Sequence, residues 1–207
     1  MHKTIAPKVL YFGTPVALIG TLNEDGTANL APISSIWWVN QSCMIGMSSK
    51  SKTVKNLLRE RECSINLPSE DLVGSVNQLA LLTGSHPVPE AKRNMGYKYE
   101  SDKFRTAGLT PDSAKTISAP LVKECPVQLE GRVVNVHSFE ASTSILAIEV
   151  HIELAHIDEK ILVDGKENYI DPEKWKPIIM NFCEFFGLSG NIHPSKLAKP
   201  FMAQEYG

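Results

Sequence analysis

The chain is short of cysteine, of net charge and of long apolar runs, and each shortage closes a class of function. Four cysteines, Cys43, Cys63, Cys125 and Cys183, are spread through 207 residues with no C-x-x-C pair. That spacing matches neither a zinc site nor a disulfide framework. Each is flanked by apolar residues, as in Ser42-Cys43-Met44-Ile45, so all four are expected as reduced, buried thiols. Acidic and basic residues nearly cancel, 23 against 21, for a formal charge of −2. A global basic surface is lacking, and nucleic acid is not an expected partner. No apolar run approaches the roughly 18 residues of a membrane-spanning helix, and no membrane partner is expected. The stretch from Val9 to Leu22 is broken by Gly13, Thr14 and Pro15 and runs into Asn23-Glu24-Asp25-Gly26. It reads poorly as a signal peptide, and a cytoplasmic location is expected.

What is present is mostly strand pattern. Pro15 to Leu22 is an apolar run rich in β-formers, and Asp25-Gly26 supplies the positive φ angles of a tight turn. The return strand is predicted over Thr27–Ile33, followed by strands over Ser35–Val39 and Cys43–Ser48. The period then changes. Val54, Leu57 and Leu58 recur at helical spacing, predicting a short amphipathic helix over Lys52–Arg61, capped by Ser51 or Thr53. Cys63–Leu67 reads as a strand stopped by Pro68. Ser69 opens a second helix carrying Leu72, Val76, Leu79 and Ala80.

From Thr83 to Pro126, Gly, Pro and small polar residues dominate. Pro89–Met95 is read as a helical turn and Gly96–Pro120 as a long excursion, which in a compact domain is usually functional or packed on a partner. Clear alternation returns in Val127–Val133, odd positions inward, and in Leu146–Leu154, even positions inward. Trp175–Phe186 carries a helical pattern. Strands, short helices and a long loop in this order do not fit an alternating βαβ sheet. The predicted class is mainly β, an antiparallel barrel with peripheral helices.

The richest polar stretch is Ser48-Ser49-Lys50-Ser51-Lys52-Thr53, between a strand and a helix start. Hydroxyls, ammonium groups and free helix N–H groups converge there, which suits a phosphate. The alternative is a solvated turn with an ordinary cap. In Asn29-Leu30-Ala31-Pro32-Ile33-Ser34, Pro32 cannot donate to a ladder and implies an edge or bulge. Backbone groups left open there suit a planar heterocycle; an irregular strand end is the alternative. Glu149, His151 and Glu153 share a strand face but span roughly 13 Å, too far for one ion. No metal site is expected. His86, His137, His156 and His193 are read as structural or exposed, and His2 as part of a loose terminus. Trp37 and Trp38 fall on opposite strand faces and are read as core or interface packing. No nucleophilic or acid–base residue set can be nominated from spacing.

An ordered set of motifs runs through the chain: Asp25-Gly26, Asn29-x-Ala31-Pro32-x-Ser34, Lys52-Thr53-x-x-Asn56-Leu57 and Asn66-Leu67-Pro68. Asp102-Lys103-Phe104 with Gly108-Leu109-Thr110, and Ala119-Pro120-Leu121-Val122-x-Glu124-Cys125-Pro126, continue it. From about Pro15 to Gly165 the chain resembles the flavin reductase-like family of FMN-binding split barrels, close to its flavoredoxin-like branch. The resemblance implies a homodimer with FMN at the subunit interface. Asn29, Ala31, Pro32, Ile33 and Ser34 would face the ring. Ser48, Ser49, Lys50, Lys52 and Thr53 would hold the phosphate. Asn66 would lie near the ring or buttress its strand. It further implies hydride transfer from NAD(P)H through FMN to a flavin or small acceptor. The alternative is a non-catalytic electron carrier reduced by a redox partner protein. Two departures stand out. Ser51 replaces an arginine common before the Lys-Thr pair. Ala141-Ser142-Thr143-Ser144 replaces a Gly-Asp-His group. One domain is expected over 1–207, with a core of about 10–165 and a C-terminal helical extension of about 166–207.

Overall fold

The computed structural model describes residues 1–139, 143–166 and 168–196. Ala141 and Ser142, in the stretch that departs from the family pattern, lie outside the described residues, as does the end of the chain from 197. The strands begin with β1 (Phe12–Pro15), β2 (Ala17–Leu22), β3 (Ala28–Ile33), β4 (Ile36–Val39), β5 (Ser42–Ser48) and β6 (Glu62–Leu67). The middle of the chain adds the two-residue strands β7 (Leu82–Thr83), β8 (Lys98–Tyr99), β9 (Pro111–Asp112) and β10 (Leu121–Val122). Two long strands follow, β11 (Val127–Ser138) and β12 (Ile145–Ile157), then β13 (Ile179–Asn181) and β14 (Glu184–Phe186). The α-helices are α1 (Lys52–Glu60), α2 (Val73–Leu79), α3 (Glu90–Asn94) and α4 (Lys103–Ala107).

Local chemistry explains the first half. Gly26 takes φ +78° in the β2–β3 turn, and Asp25 accepts from the Thr27 N–H (3.0 Å) and hydroxyl (2.6 Å). The Ser51 hydroxyl accepts from the Val54 N–H at 3.1 Å and caps α1. That helix ends at Glu60, because Arg61 adopts the left-handed conformation and returns its N–H to Leu57.

Seven strands form one antiparallel sheet in the order β3-β2-β6-β11-β12-β5-β4. The edge strands β3 and β4 are consecutive in the chain, joined by Ser34 and Ser35. The sheet therefore curls until its edges come together, leaving a seam between them. One core cluster inside takes Ile19, Ile36, Ile45, Ile65, Leu129 and Ile148, with Val54 and Leu57 from α1. This is the mainly β barrel with peripheral helices.

A second core lies outside the barrel. Val16 and Leu18, facing away from Ala17 and Ile19, pack with Leu30, Val76 and Leu79, and with Phe104 and Ala107 of α4. The apolar run at Pro15–Leu22 is thus apolar because β2 is buried on both faces. The helical turn expected at Pro89–Met95 is α3, while the excursion expected over Gly96–Pro120 carries β8, α4 and β9, with β7 before it and β10 after it. Its α4 is marked by an Asp102 cap on Arg105 N–H (3.2 Å) and by Gly108 at φ +65°. Glu62 and Glu130 fix its end to the barrel, taking the N–H groups of Ser118 (2.7 Å) and Thr116 (2.6 Å).

The helical pattern at Trp175–Phe186 is corrected. Ile178 is buried, and β13 and β14 form a hairpin with β13 paired to β1. Pro177 blocks a helix by lacking an N–H and by disfavouring helical geometry at Lys176. Phe182 (φ 46°) and Cys183 (φ 69°) make the turn. Cys183 is therefore exposed, against expectation, while Cys43, Cys63 and Cys125 are buried. Burial pushes the Cys43 thiol up to about 12. Among the described residues, no helix is long and apolar enough to cross a membrane.

Candidate functional site

Three clefts adjoin along the outer face of β3 and the start of α1. The central one, of about 210 Å³, is walled by Ala31 and Pro32, by Ser48, Ser51, Lys52 and Thr53, and by Leu82–Gly84 with Lys92 of α3 and Lys103 of α4. Three lysines and the first turn of α1 thus line one space. The leading N–H groups of a helix have no intrahelical acceptor, and its dipole adds partial positive charge. The first cleft, of about 150 Å³, shares Pro32 and Ala80 with the central one and is lined by Ile33, Ser34, Val16, Val76 and Phe185. The third shares Lys52 and Gly84 with it and carries Glu24, Asp25 and Glu100.

Behind the central cleft lies a closed polar network. The Asn29 amide is buried and donates to the hydroxyls of Thr21 and Thr53, both at 3.1 Å. Its oxygen accepts from Lys103 Nζ at 2.9 Å, which also donates to the Leu30 carbonyl at 2.9 Å. Lys103 is only 4% exposed. Burial, with Lys92 nearby, brings its pKa down to about 8, so the ammonium sits near its titration point. Burial also lowers Lys92, with Lys55 adding to the effect. Gly84 lets this wall close: a Cβ there would meet Asn29 Oδ1 at 2.8 Å and Lys52 Cγ at 3.2 Å.

The structure distributes the residues selected from sequence among distinct roles. Ala31 and Pro32 line the central cleft, and Ile33 and Ser34 the apolar one. Ser48, Lys52 and Thr53 meet in the central cleft. Ser49 and Lys50 stand outside both sets of walls; Ser49 donates to the Ser144 carbonyl at 2.7 Å, and Lys50 is exposed. Asn29 and Asn66 are spent inside the wall. Asn66 is fully buried, donating to Leu18 O (3.1 Å) and Ser64 Oγ (3.0 Å) and accepting from Val122 N–H (2.9 Å). It buttresses β6 against β2 and β10.

Sequence reading missed Thr83, Gly84, Lys92 and Lys103 as wall residues. The one available signal was Asp102 followed six residues on by Gly108, a cap-and-stop pair marking a helix. Trp37 is 56% exposed on the edge strand β4, and Trp38 packs against the barrel core. Glu149 bonds Asn135 (2.8 Å), and Glu153 pairs with Arg132 (3.3 Å). Among the described residues, no group of three or more His, Cys, Asp or Glu is placed to hold a metal.

Known proteins share this architecture. The chain is similar to the uncharacterized protein YdfE of Bacillus subtilis (strain 168), 40% identical over 190 residues that span 92% of this chain and 91% of that one. The fold is similar to flavoredoxin of Desulfovibrio vulgaris (Miyazaki F), with TM-score 0.79 and 20% identity over 96% of this chain and 100% of that one. It is also similar to a split barrel domain protein from Shewanella frigidimarina NCIMB 400, with TM-score 0.69 and 18% identity over 88% and 86%. The barrel with its β3–β4 seam is thus a split barrel. The family model described as "Flavin reductase like domain" matches residues 9–171, which hold most of the strands and every lining residue of the central and third clefts, and the chain belongs to that family.

Proposed function

We propose that the protein binds FMN along the apolar and lysine-lined clefts and passes reducing equivalents from NAD(P)H to a flavin or other small acceptor. One observation carries this reading: a single groove runs from an apolar wall at Ile33, Val76 and Phe185 to three lysines at a helix start. A fitting ligand has an apolar body at one end and a phosphate-like anion at the other. FMN has both, and family membership supports a flavin-binding redox protein.

The chain's own groups fit the parts. Lys52, Lys92, Lys103 and the first N–H groups of α1 would hold the phosphate through charge-assisted bonds. As an edge strand, β3 keeps one row of backbone groups free of ladder partners. The Asn29–Thr53–Lys103 network fixes β3 against α1. When bound, the flavin supplies two-electron or one-electron transfer, and the protein supplies orientation and charge. A homodimer is the proposed assembly, supported by exposed Trp37 and Val39 on the edge strand β4.

The test is the visible spectrum of the purified protein, with FMN added, before and after anaerobic NADH or NADPH. A bound-flavin spectrum that bleaches within turnover times is the expected result. Reduction by a protein donor alone would replace the enzyme with an electron carrier. Failure to take up FMN would remove both.

A further inference from the structure

The apolar cleft takes one wall from outside the matched part of the chain. The family model stops at residue 171, yet Met180 and Phe185 line this cleft with Val16, Ile33 and Val76. Both belong to the β13–β14 hairpin, where they are directly paired. Residues paired across an antiparallel hairpin project on one side of it, so the hairpin turns a Met–Phe face to the cleft. The alternate pair, Ile179 and Phe186, lies on the other side, and Phe186 is 52% exposed. The hairpin is strapped at both ends. Its β13 pairs with β1, the Val16 N–H donates to the Ile178 carbonyl at 2.9 Å, and Ile178 is buried in the second core. The Glu70 N–H donates to the Lys176 carbonyl at 2.9 Å, and Gly187 runs so close to the Glu70 carboxylate that a Cβ there would overlap it. Glu70 stands just before α2, whose Val76 lines the same cleft. The Met–Phe face is therefore held by β1 on one side and by the entry to α2 on the other.

We infer that this hairpin is a clasp over the ring end of the groove, that Phe185 sets how long a flavin stays there, and that the chain works with its flavin as a retained group rather than as a substrate that exchanges. The inference rests on the flavin reading above. The two ends of the groove hold a ligand by different means. The lysine-lined end holds an anion by charge, and that hold is screened by salt. The apolar end offers Val16, Ile33, Val76, Met180 and Phe185, with Ser34 as its one side-chain hydroxyl. A ring seated there must give up its apolar contacts before it can leave, and that loss falls on the dissociation rate. A Phe ring and a thioether both suit contact with an aromatic ligand. Val16, Ile33 and Val76 sit on elements that build the barrel and its second core, whereas the hairpin adds nothing to the seven-stranded sheet. Reducing equivalents then leave with an acceptor that comes to the protein, not with a flavin that diffuses away.

The full-length chain is loaded with FMN, and dissociation is followed as recovery of flavin fluorescence on dilution, for wild type, Phe185→Ala, Phe185→Leu, Phe185→Tyr and Phe186→Ala. Wild-type FMN is expected to leave with a half-life longer than about one minute. Phe185→Ala raises the dissociation rate about 10–100-fold and changes the association rate by less than about threefold. Phe185→Leu, which fills the space without a ring, gives an intermediate rate and carries the comparison if the alanine variant melts low. Phe185→Tyr, which keeps the ring, and Phe186→Ala, on the other face of the hairpin, stay within about threefold of wild type. Riboflavin, which has the ring but no phosphate, separates the two ends: Phe185→Ala weakens riboflavin and FMN by the same factor, whereas a disturbance passed on to the lysines would weaken FMN alone. A wild-type half-life under about one minute, or a dissociation rate that Phe185→Ala and Phe185→Leu both leave unchanged, overturns the clasp while the flavin reading stands. No FMN uptake by wild type overturns the flavin reading itself, and the clasp with it.

Discussion

Glu130 offers a quantitative test of how the excursion is held to the barrel. The residue is fully buried on β11. Its Oε1 accepts from the Lys115 N–H at 2.8 Å and lies 2.6 Å from His156 Nε2. Its Oε2 accepts from the Thr116 N–H (2.6 Å), the Thr116 hydroxyl (2.7 Å) and the Ile117 N–H (3.2 Å). Burial on its own would raise this carboxyl; the bonds from Lys115, His156 and Thr116 outweigh it and bring the pKa to about 2. Glu130→Gln keeps the shape but has one acceptor oxygen. With that oxygen turned to Thr116 and Ile117, the amide nitrogen faces the Lys115 N–H and leaves it without an acceptor. One stranded donor plus the weakening of charge-assisted bonds amounts to about 2–4 kcal/mol. In a chain of this length that is a fall in Tm of about 5–15 °C. Thermal melts of wild type and variant at neutral pH should show it. The pH dependence follows from sign. The folded pKa is depressed from 4.5 to about 2, so the stabilisation is complete above 4.5 and is lost as pH falls towards 2. The gap between wild type and variant must therefore narrow between those values. A Tm difference under about 1 °C at neutral pH, or a gap that stays constant down to acid pH, would refute an ionised, fully bonded Glu130.

Three further outcomes concern the groove. Lys52→Ala combined with Thr53→Ala should weaken FMN binding by about 10–100-fold in a flavin titration, since a charged donor and part of the helix-start site are lost; unchanged affinity removes the phosphate assignment. The same pair strands one Asn29 donor now 3.1 Å from Thr53 Oγ1, so a loss of about 1–3 kcal/mol in urea unfolding accompanies it. FMN affinity should fall as pH rises through about 8, because burial makes Lys103 lose its charge there; Lys103→Met should flatten that inflection, and an identical profile in both proteins would discount the residue. Gly84→Ala places a Cβ 2.8 Å from Asn29 Oδ1, and displacing the wall should lower both FMN affinity and Tm by about 1–3 kcal/mol equivalents, read by titration and melting.

The elements legible in the sequence are those whose code is local. Asp25-Gly26 writes a turn, Ser51 writes a cap, and the alternation in Val127–Val133 writes a strand, each within a few residues. The tail was misread because its code is not local. Trp175, Ile178 and Ile179 sit at helical spacing, yet what orders them is pairing of β13 with β1, at the other end of the domain. The turn residues Phe182 and Cys183 take positive φ without being Gly or Asn, so the usual hairpin signal is missing. Two-sided burial likewise hid Glu130: period two placed it on the polar face of its strand, and only the excursion folding over that face turns it into a buried anchor.

The groove divides along the same line. Lys52 and Thr53 were visible because strand end, cap and helix start are contiguous. Lys103 was not, because it reaches Asn29 across 74 residues, and its helix is only five residues long. Asn29 and Asn66 show the opposite error. A polar residue amid apolar strand neighbours looks like a ligand contact, yet a buried amide must satisfy its own donors and acceptor, and both do so within the wall. Their effect on a ligand is therefore indirect, through the position of β3 and β6. Charge follows the same logic at larger scale. A net charge of −2 says nothing about a groove in which Lys52, Lys92 and Lys103 adjoin Glu24, Asp25 and Glu100. Lys52 and Glu24 stand 28 residues apart in sequence and form an ion pair at the boundary of two clefts. Near-neutrality in this chain is a balance of opposed local fields.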